Sequence, residues 1–146
     1  MLSFNRSLSA EQKEERIAQY HVPYHSAISD TIRKRQESSG PFLLLSLHSF
    51  TPVWNHRLRS MDIGVLFDQH ESLAERLAQK LSSHFFVSLN EPYSGKNGLI
   101  YSADRHGRHH RLPYLELEIN QTLLSSPQRI EVFAKILQEI LLDFCF

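Results

Sequence analysis

The chain has 146 residues, enough for one domain with a hydrophobic core, and we interpret residues 1–146 as a single domain. Its 16 lysines and arginines balance its 16 aspartates and glutamates, so the net charge gives no general reason to bind nucleic acid or an anionic membrane. The single cysteine, Cys145, has no partner for an intrachain disulfide, and no segment has the pattern of a signal peptide or a membrane-spanning helix. These features predict a soluble cytoplasmic protein.

The first forty residues predict two helices. Ser9, followed three residues later by Gln12, is typical of a capping box at the start of a polar helix. Pro23 is expected to interrupt this helix and to begin the next one. Apolar residues then recur at helical spacing until Gly40 and Pro41 end the second helix.

Four short apolar segments predict the strands of a sheet, and they lie at residues 42–47, 63–67, 85–89 and 112–119. The first is a continuous apolar run, which favours a strand buried on both faces. Two further helices follow the second and fourth strands. Strands that alternate with helices predict an α/β fold, with a mixed, mainly parallel sheet and flanking helices.

The predicted helix after the second strand begins with a capping box of Asp68 and Glu71, and its core face is the stripe Leu73, Leu77 and Leu81 beside Ala74 and Ala78. The last helix is opened by Pro127. Between them, the segment RHGRHHR at residues 105–111 contains Gly107 among charged neighbours, which favours a solvated loop over a helix or a phosphate site.

Polar side chains follow or end several of the predicted strands. His48 comes directly after the first strand, Asn90 and Tyr93 follow the third, and Glu116 and Glu118 lie late in the fourth. Ligands of open α/β sheets collect at the carboxyl ends of the strands, so these groups are expected to converge on one cleft. From the pattern alone, His48 is more often a structural histidine, and the two glutamates could equally be a solvent-facing pair, because they point to the same face.

The sequence resembles the N-formylglutamate amidohydrolase family. The blocks that carry the resemblance occur in family order along most of the chain: YHVPYHSAI (residues 20–28), LHSFTPVW (47–54) with Arg59 after it, IGVLFD (63–68), NEPYSG (90–95), RHG (105–107) and LPYLELEIN (112–120). The family implies a fold related to that of the zinc carboxypeptidases. It also implies zinc-dependent hydrolysis of N-formylglutamate, or of another small N-acyl amino acid, to formate and the amino acid.

The resemblance assigns roles to individual residues. His48 matches a zinc ligand, Glu118 matches the general base, and Arg59 is a candidate clamp for a substrate carboxylate, with Asn90 and Tyr93 as further substrate contacts. These residue types suit the chemistry, because imidazole binds zinc well, a carboxylate can move the proton of activated water, and a planar guanidinium can hold a carboxylate through two hydrogen bonds.

The family's first two zinc ligands come from a segment upstream of the part that this chain resembles, and residues 4–7 resemble the end of that segment. The expectation is therefore a truncated domain, with three alternatives: an inactive relic, one half of a split enzyme whose missing N-terminal subunit is a separate gene product, or a site rebuilt from the chain's own histidines. The histidines available for such a site are His21, His25, His106, His109 and His110. A relic could act as an interaction module that pairs with another subunit or, as a homo-oligomer, with another copy.

Overall fold

The computed structural model describes residues 7–38 and 40–144. The chain divides into two compact units, residues 1–41 and residues 42–146. The interpretation of residues 1–146 as a single domain stays a prediction.

The first unit is helical, with helix α1 (Ala10–Arg16), a π-helical turn (Ile17–His21) and helix α2 (Val22–Ser38). The predicted capping box is confirmed: the Ser9 hydroxyl accepts from the backbone N–H of Gln12, and the Gln12 side chain accepts from that of Ser9. Pro23 lies in the first turn of α2, as predicted, but the chain remains helical before it. Proline has no backbone N–H to donate to the preceding turn, and the helix widens to a π turn there. The interruption is therefore a change of helix type and not a break.

The described residues of the second unit form six strands and three α-helices. In chain order they are β1 (Leu44–Phe50), β2 (Val53–Trp54), β3 (Arg57–Leu58), β4 (Ile63–Leu66), α3 (Glu71–Leu81), β5 (Val87–Leu89), α4 (Tyr101–His110), β6 (Tyr114–Asn120) and α5 (Pro127–Leu142), with 3₁₀ turns at Gly95–Asn97 and Gln121–Leu124. Within the described residues, no helix combines the length and the apolar character needed to span a membrane.

Four strands form one sheet in the order β1-β6-β4-β5. β1 pairs with β6 and β4 pairs with β5 in parallel, whereas β4 and β6 are antiparallel. The predicted mixed, mainly parallel sheet is confirmed. Strands β2 and β3 form a separate hairpin, in which Asn55 and His56 have φ of 48° and 61°, as a two-residue type I′ turn requires.

The two faces of the sheet pack against different helices. Leu115, Leu117 and Ile119 of β6 face the larger core, which includes residues of α3 and α5. On the opposite face, Tyr114 packs with Leu66 and with residues of α4. Because side chains alternate along a strand, the remaining even-numbered residues of β6 share the α4 face of the sheet. The sheet is therefore flanked by helices on both faces.

The first strand differs from the prediction. β1 lies at the end of the strand order and is only half-buried, while the neighbouring β6 is buried along its whole length. A strand at a sheet edge has one neighbour instead of two, so its apolar composition does not imply complete burial. β1 also continues to Phe50, and therefore His48 lies within the strand instead of after its end.

The predicted cap of α3 is wrong. The N-cap residue of α3 is His70, which makes no side-chain capping bond. The Asp68 carboxylate instead accepts hydrogen bonds from the backbone N–H of Gln69 at 2.7 Å, from the Tyr114 hydroxyl at 2.9 Å and from the Arg108 guanidinium. A charged donor and a buried hydroxyl hold this carboxylate more strongly than a helix end would.

The RHGRHHR segment is helical, which corrects the prediction of a loop. Its first six residues belong to α4, and Arg111 ends the helix in the left-handed conformation. Arg108 reaches both Asp104, one turn earlier in α4, and Asp68 in the loop after β4. Gly107 is buried against the ring of Tyr114. These tertiary contacts outweigh the low helix propensity of the segment.

Candidate metal centre

The pairing of β1 with β6 brings histidine and glutamate side chains together. In this parallel pair, His48 lies opposite Glu118 and Ser46 lies opposite Glu116. Residues two apart on a strand point to the same face, so His48 and both glutamates project from one face of two adjacent strands. The convergence predicted from the sequence occurs here along neighbouring strands instead of at several strand ends.

The three side chains are close enough to share one ion. Ligand atoms of His48, Glu116 and Glu118 all lie within 4.8 Å of one another, and His48 Nε2 is 3.6 Å from Glu116 Oε2. The His48 side chain is 55% exposed, whereas that of Glu116 is 4% exposed. The reading of the two glutamates as a solvent-facing pair is therefore wrong: both are buried, and His48 forms the solvent side of the cluster.

Glu118 is electrostatically unsatisfied. Its Oε2 atom is buried and has no hydrogen-bond partner in the described part of the chain. Burial raises the pKa of the Glu118 carboxyl, and the neighbouring Glu116 raises it further, although the charges of His48 and Arg59 act in the opposite direction. Burial also raises the pKa of Glu116, against the effects of His48 and of a hydrogen bond from Ser46.

This donor set suits a divalent metal ion. One imidazole nitrogen and carboxylate oxygens are ligands that zinc accepts. A cation bound among them would compensate the charge of two buried carboxylates and would give the unpartnered Glu118 oxygen a counter-charge. The residues present therefore fit a metal, and the cluster could activate water or polarise a carbonyl group if an ion is bound.

A glycine leaves room beside Glu118. Gly64 of β4 pairs with Glu118, and a Cβ atom on Gly64 would lie 1.8 Å from the carbonyl oxygen of Glu91 and 3.5 Å from the Glu118 Cβ. A side chain at this position would displace the backbone that follows β5. The absence of a Cβ thus allows the loop at residues 90–95 to pass directly over the strand beside the glutamate.

Asn90 organises this loop. Its side-chain oxygen accepts hydrogen bonds from the backbone N–H groups of Phe67, at 3.0 Å, and Gly95, at 3.1 Å. Its own backbone N–H donates to Val65, and its φ is 53°. The structure thus gives Asn90 a role in shaping the loop, while its contact with substrate stays a prediction. The same loop carries Tyr93 to the side of Arg59.

Arg59 lies among three aromatic rings. Its Cζ atom is 5.4 Å from the centroid of Tyr93, 5.5 Å from that of Trp54 and 5.7 Å from that of Phe50. These distances are typical of cation–π contacts. The Asn120 side chain donates to the backbone oxygen of Arg59 at 3.3 Å, which joins this segment to β6 two residues beyond Glu118.

The structure thus brings together His48 and Glu118, and separately Arg59 and Tyr93, with the Arg59 charge reaching the Glu118 carboxyl. Their assigned roles stay predictions. The family resemblance assigned no role to Glu116, although its two-residue spacing from Glu118 is a signal that both side chains share one face. Nothing in the spacing identified Phe50 and Trp54 as neighbours of Arg59.

The segment of helical histidines does not rebuild the site. Within residues 7–38 and 40–144, the group with metal-ligand geometry is the His48 cluster, and it includes no histidine of α4 or of the first unit. His106 and His110 stack on each other with ring centroids 6.2 Å apart. The described residues thus lend no support to the third alternative that the sequence raised.

A mixed sheet flanked by helices, with a His–Glu–Glu cluster on one face, defines an α/β protein with a candidate metal centre. The family model for N-formylglutamate amidohydrolase matches residues 2–125. The chain therefore belongs to the N-formylglutamate amidohydrolase family, a family of hydrolases, and the resemblance inferred from the sequence is confirmed. No match was found among curated protein sequences.

Two solved structures are similar to this chain. The crystal structure of gene product Atu2144 from Agrobacterium tumefaciens has a TM-score of 0.85 and 27% identity, over 93% of this chain and 54% of that one. An N-formylglutamate amidohydrolase from Ralstonia eutropha has a TM-score of 0.59 and 22% identity, over 81% of this chain and 46% of that one, and shows the fold alone. The chain thus spans about half the length of each of these structures.

Proposed function

We propose that this chain acts as a zinc-dependent amidohydrolase that cleaves the amide of N-formyl-L-glutamate, or of another N-acyl amino acid, to formate or another acid and the free amino acid. The observation that carries the proposal is the buried Glu118 carboxylate, whose Oε2 has no hydrogen-bond partner in the described residues, beside His48 and Glu116. Family membership supplies the reaction class.

In this proposal His48 and Glu116 hold the metal, because their facing atoms, Nε2 and Oε2, are 3.6 Å apart. Bound zinc would supply a Lewis acid and lower the pKa of its water towards about 7. Glu118 would act as general base towards the attacking water and as general acid towards the nitrogen of the leaving amine. A carboxyl whose pKa is raised by burial suits this task, since a proton shuttle works best when its pKa is close to the working pH.

Arg59 would bind the carboxylate of the substrate. The rings of Trp54 and Tyr93 lie 5.5 and 5.4 Å from its Cζ atom, and its hydrogen bond to the described residues is a long one to Thr51, so a carboxylate could accept two of the other N–H donors. Tyr93 would contact the substrate from the loop that Asn90 shapes. In this proposal the carboxylate clamp would act close to the proton shuttle, because the charge of Arg59 reaches the Glu118 carboxyl.

Metal retention is the first test. Catalytic zinc sites have about three protein ligands, so the question is whether this chain alone keeps the ion. We expect about one zinc per chain after dialysis of the wild-type protein, and loss of that zinc in His48→Ala. His84→Ala is the matched control, because His84 is exposed in the turn after α3. The measurement is elemental analysis, followed by an assay of formate release from N-formyl-L-glutamate.

A wild-type chain that retains no zinc would contradict the proposal for the chain alone. If zinc binding and formate release appear only when a second polypeptide is added, the result would favour an enzyme completed by another subunit. Absence of both under all conditions would favour an inactive family member with a role in assembly. Zinc that survives in His48→Ala would show that the metal binds elsewhere.

A further inference from the structure

The surroundings of Arg59 contain more aromatic surface than a carboxylate clamp requires. Phe50 is buried, but Trp54 is 58% exposed and Tyr93 is 37% exposed. The two exposed rings lie on separate elements, the end of β2 and the loop after β5, and both approach the same guanidinium. They form an aromatic wall at the solvent side of Arg59.

The Arg59 side chain keeps most of its hydrogen-bonding capacity. Its hydrogen bond to the described residues runs from Nη1 to the backbone oxygen of Thr51, at a long 3.4 Å. Aromatic faces hold the cation without using its in-plane N–H donors. With one long hydrogen bond to the described residues, the guanidinium has N–H donors available for an anionic ligand beside the rings.

The wall lies close to the metal cluster along the sheet. Phe50 follows His48 by two residues on β1, and Asn120 follows Glu118 by two residues on β6, so each pair lies on one face, about 7 Å apart. Phe50 contacts Arg59 through its ring, and Asn120 binds the Arg59 backbone. The charge of Arg59 also reaches the Glu118 carboxyl, so a short ligand with its carboxylate at Arg59 would have its amide near the cluster.

The side chain of an N-acyl amino acid branches from the carbon between its carboxylate and its amide. Held by Arg59, such a ligand would project this side chain towards the exposed rings of Trp54 and Tyr93. An aromatic side chain would bury apolar area there and stack, whereas a carboxylate against these rings would lose hydration without gaining an ion pair from them.

We propose that the aromatic wall of Trp54 and Tyr93 makes the site selective for N-acyl amino acids with an aromatic side chain, and that Trp54 determines this preference. The inference rests on the proposed function, because it takes Arg59 as the group that binds the substrate carboxylate. Among the N-acyl amino acids of the proposed function, it ranks those with an aromatic side chain above N-formyl-L-glutamate, and it names a specificity-determining residue on the β2–β3 hairpin.

The test uses the only tryptophan of the chain as its reporter. The fluorescence of Trp54 in the full chain is followed during titration with N-formyl-L-phenylalanine, N-formyl-L-glutamate and N-formylglycine, while formate release is measured in parallel. We expect the phenylalanine derivative to bind about tenfold more tightly than the other two. Arg59→Lys should weaken the binding of all three ligands to a similar degree, because lysine cannot make the bidentate contact.

Calorimetry extends the comparison to variants. Trp54→Ala should abolish the preference, Trp54→Phe should restore most of it, and Leu58→Ala should leave it unchanged, since Leu58 is an exposed residue of the same hairpin. Equal binding of the three ligands, or no binding of any, would overturn the inference. Tighter binding of N-formyl-L-glutamate that is lost in Arg57→Gln would also overturn it. Arg57, in β3, would then determine the preference by binding the side-chain carboxylate of the ligand. Selective binding without formate release would contradict the proposed function alone.

Discussion

At the scale of single residues, the site depends on a carboxylate placed where it is costly to ionise. Glu118 is 5% exposed, one of its oxygens has no hydrogen-bond partner in the described residues, and its carboxylate lies beside that of the buried Glu116. The sequence indicated His48 and Glu118 through a family resemblance, and the alternation of β6 put Glu116 on the same face. Their burial could not be read from the pattern, because it depends on β4 and on the loop over Gly64, which are distant in sequence from β6.

Glu118→Gln should therefore stabilise the metal-free protein while it abolishes hydrolysis. The folded-state pKa of Glu118 is raised, so the folded chain holds this proton more tightly than the unfolded chain, and the stability that it contributes at low pH is lost as the pH rises above about 4. We expect the variant to gain about 1–3 kcal/mol in free energy of unfolding at pH 7, and less as the pH falls towards 4. Urea denaturation across this pH range provides the measurement.

Glu75→Gln is the control for this comparison, because Glu75 is exposed on α3 and the same substitution there removes an equal charge. It should change the free energy of unfolding little at any pH in the range. If Glu118→Gln destabilises the metal-free chain at pH 7, then the wild-type carboxylate is satisfied by contacts that the described residues do not include.

At the scale of secondary structure, predictions from composition fail most where tertiary contacts determine whether a segment is helical. The sequence predicted the helices α2, α3 and α5 from their apolar periods and the four strands of the main sheet from their short apolar segments. Helix α4 lacks such a period and contains Gly107, and it forms because Arg108 binds two carboxylates and because the glycine packs under Tyr114. Contacts of this kind join distant segments and leave no local signature.

Gly107→Ala separates helix propensity from packing in α4. Alanine is the better helix former by about 1 kcal/mol, but its Cβ would lie 2.1 Å from the Tyr114 ring. Overpacking of a buried site costs about 1–3 kcal/mol or more. We expect a net loss of stability of about 1–2 kcal/mol in chemical denaturation. Ser102→Ala, in the same helix, is the control. A Gly107→Ala variant more stable than the wild type would show that the ring moves aside without cost.

At the scale of the whole molecule, the core belongs to the second unit. All residues of the two hydrophobic clusters lie between positions 42 and 144. The first unit consists of consecutive helical segments, which the sequence predicted well because caps and prolines are local signals. The sequence could not show where the division between units falls, since that depends on contacts and not on composition.

We therefore predict that a fragment of residues 42–146 folds on its own, with a cooperative urea transition seen by circular dichroism and by Trp54 fluorescence. A peptide of residues 1–41 should have little helix in water, because isolated helices of this length are marginally stable. The intact chain is the reference for both. A fragment without a cooperative transition would instead support the single domain that the sequence predicted, since residues 1–41 would then be needed to complete the core.

The register between β1 and β6 has a consequence for how the protein can be monitored. His48 stands opposite Glu118 only in the native alignment. Sliding one strand by a single position would turn its side chains to the reverse side of the sheet. A slip of one position would therefore separate His48 from the two glutamates. Metal uptake could then serve as a sensor of correct strand alignment during refolding, distinguishing native molecules from compact ones whose sheet is mispaired.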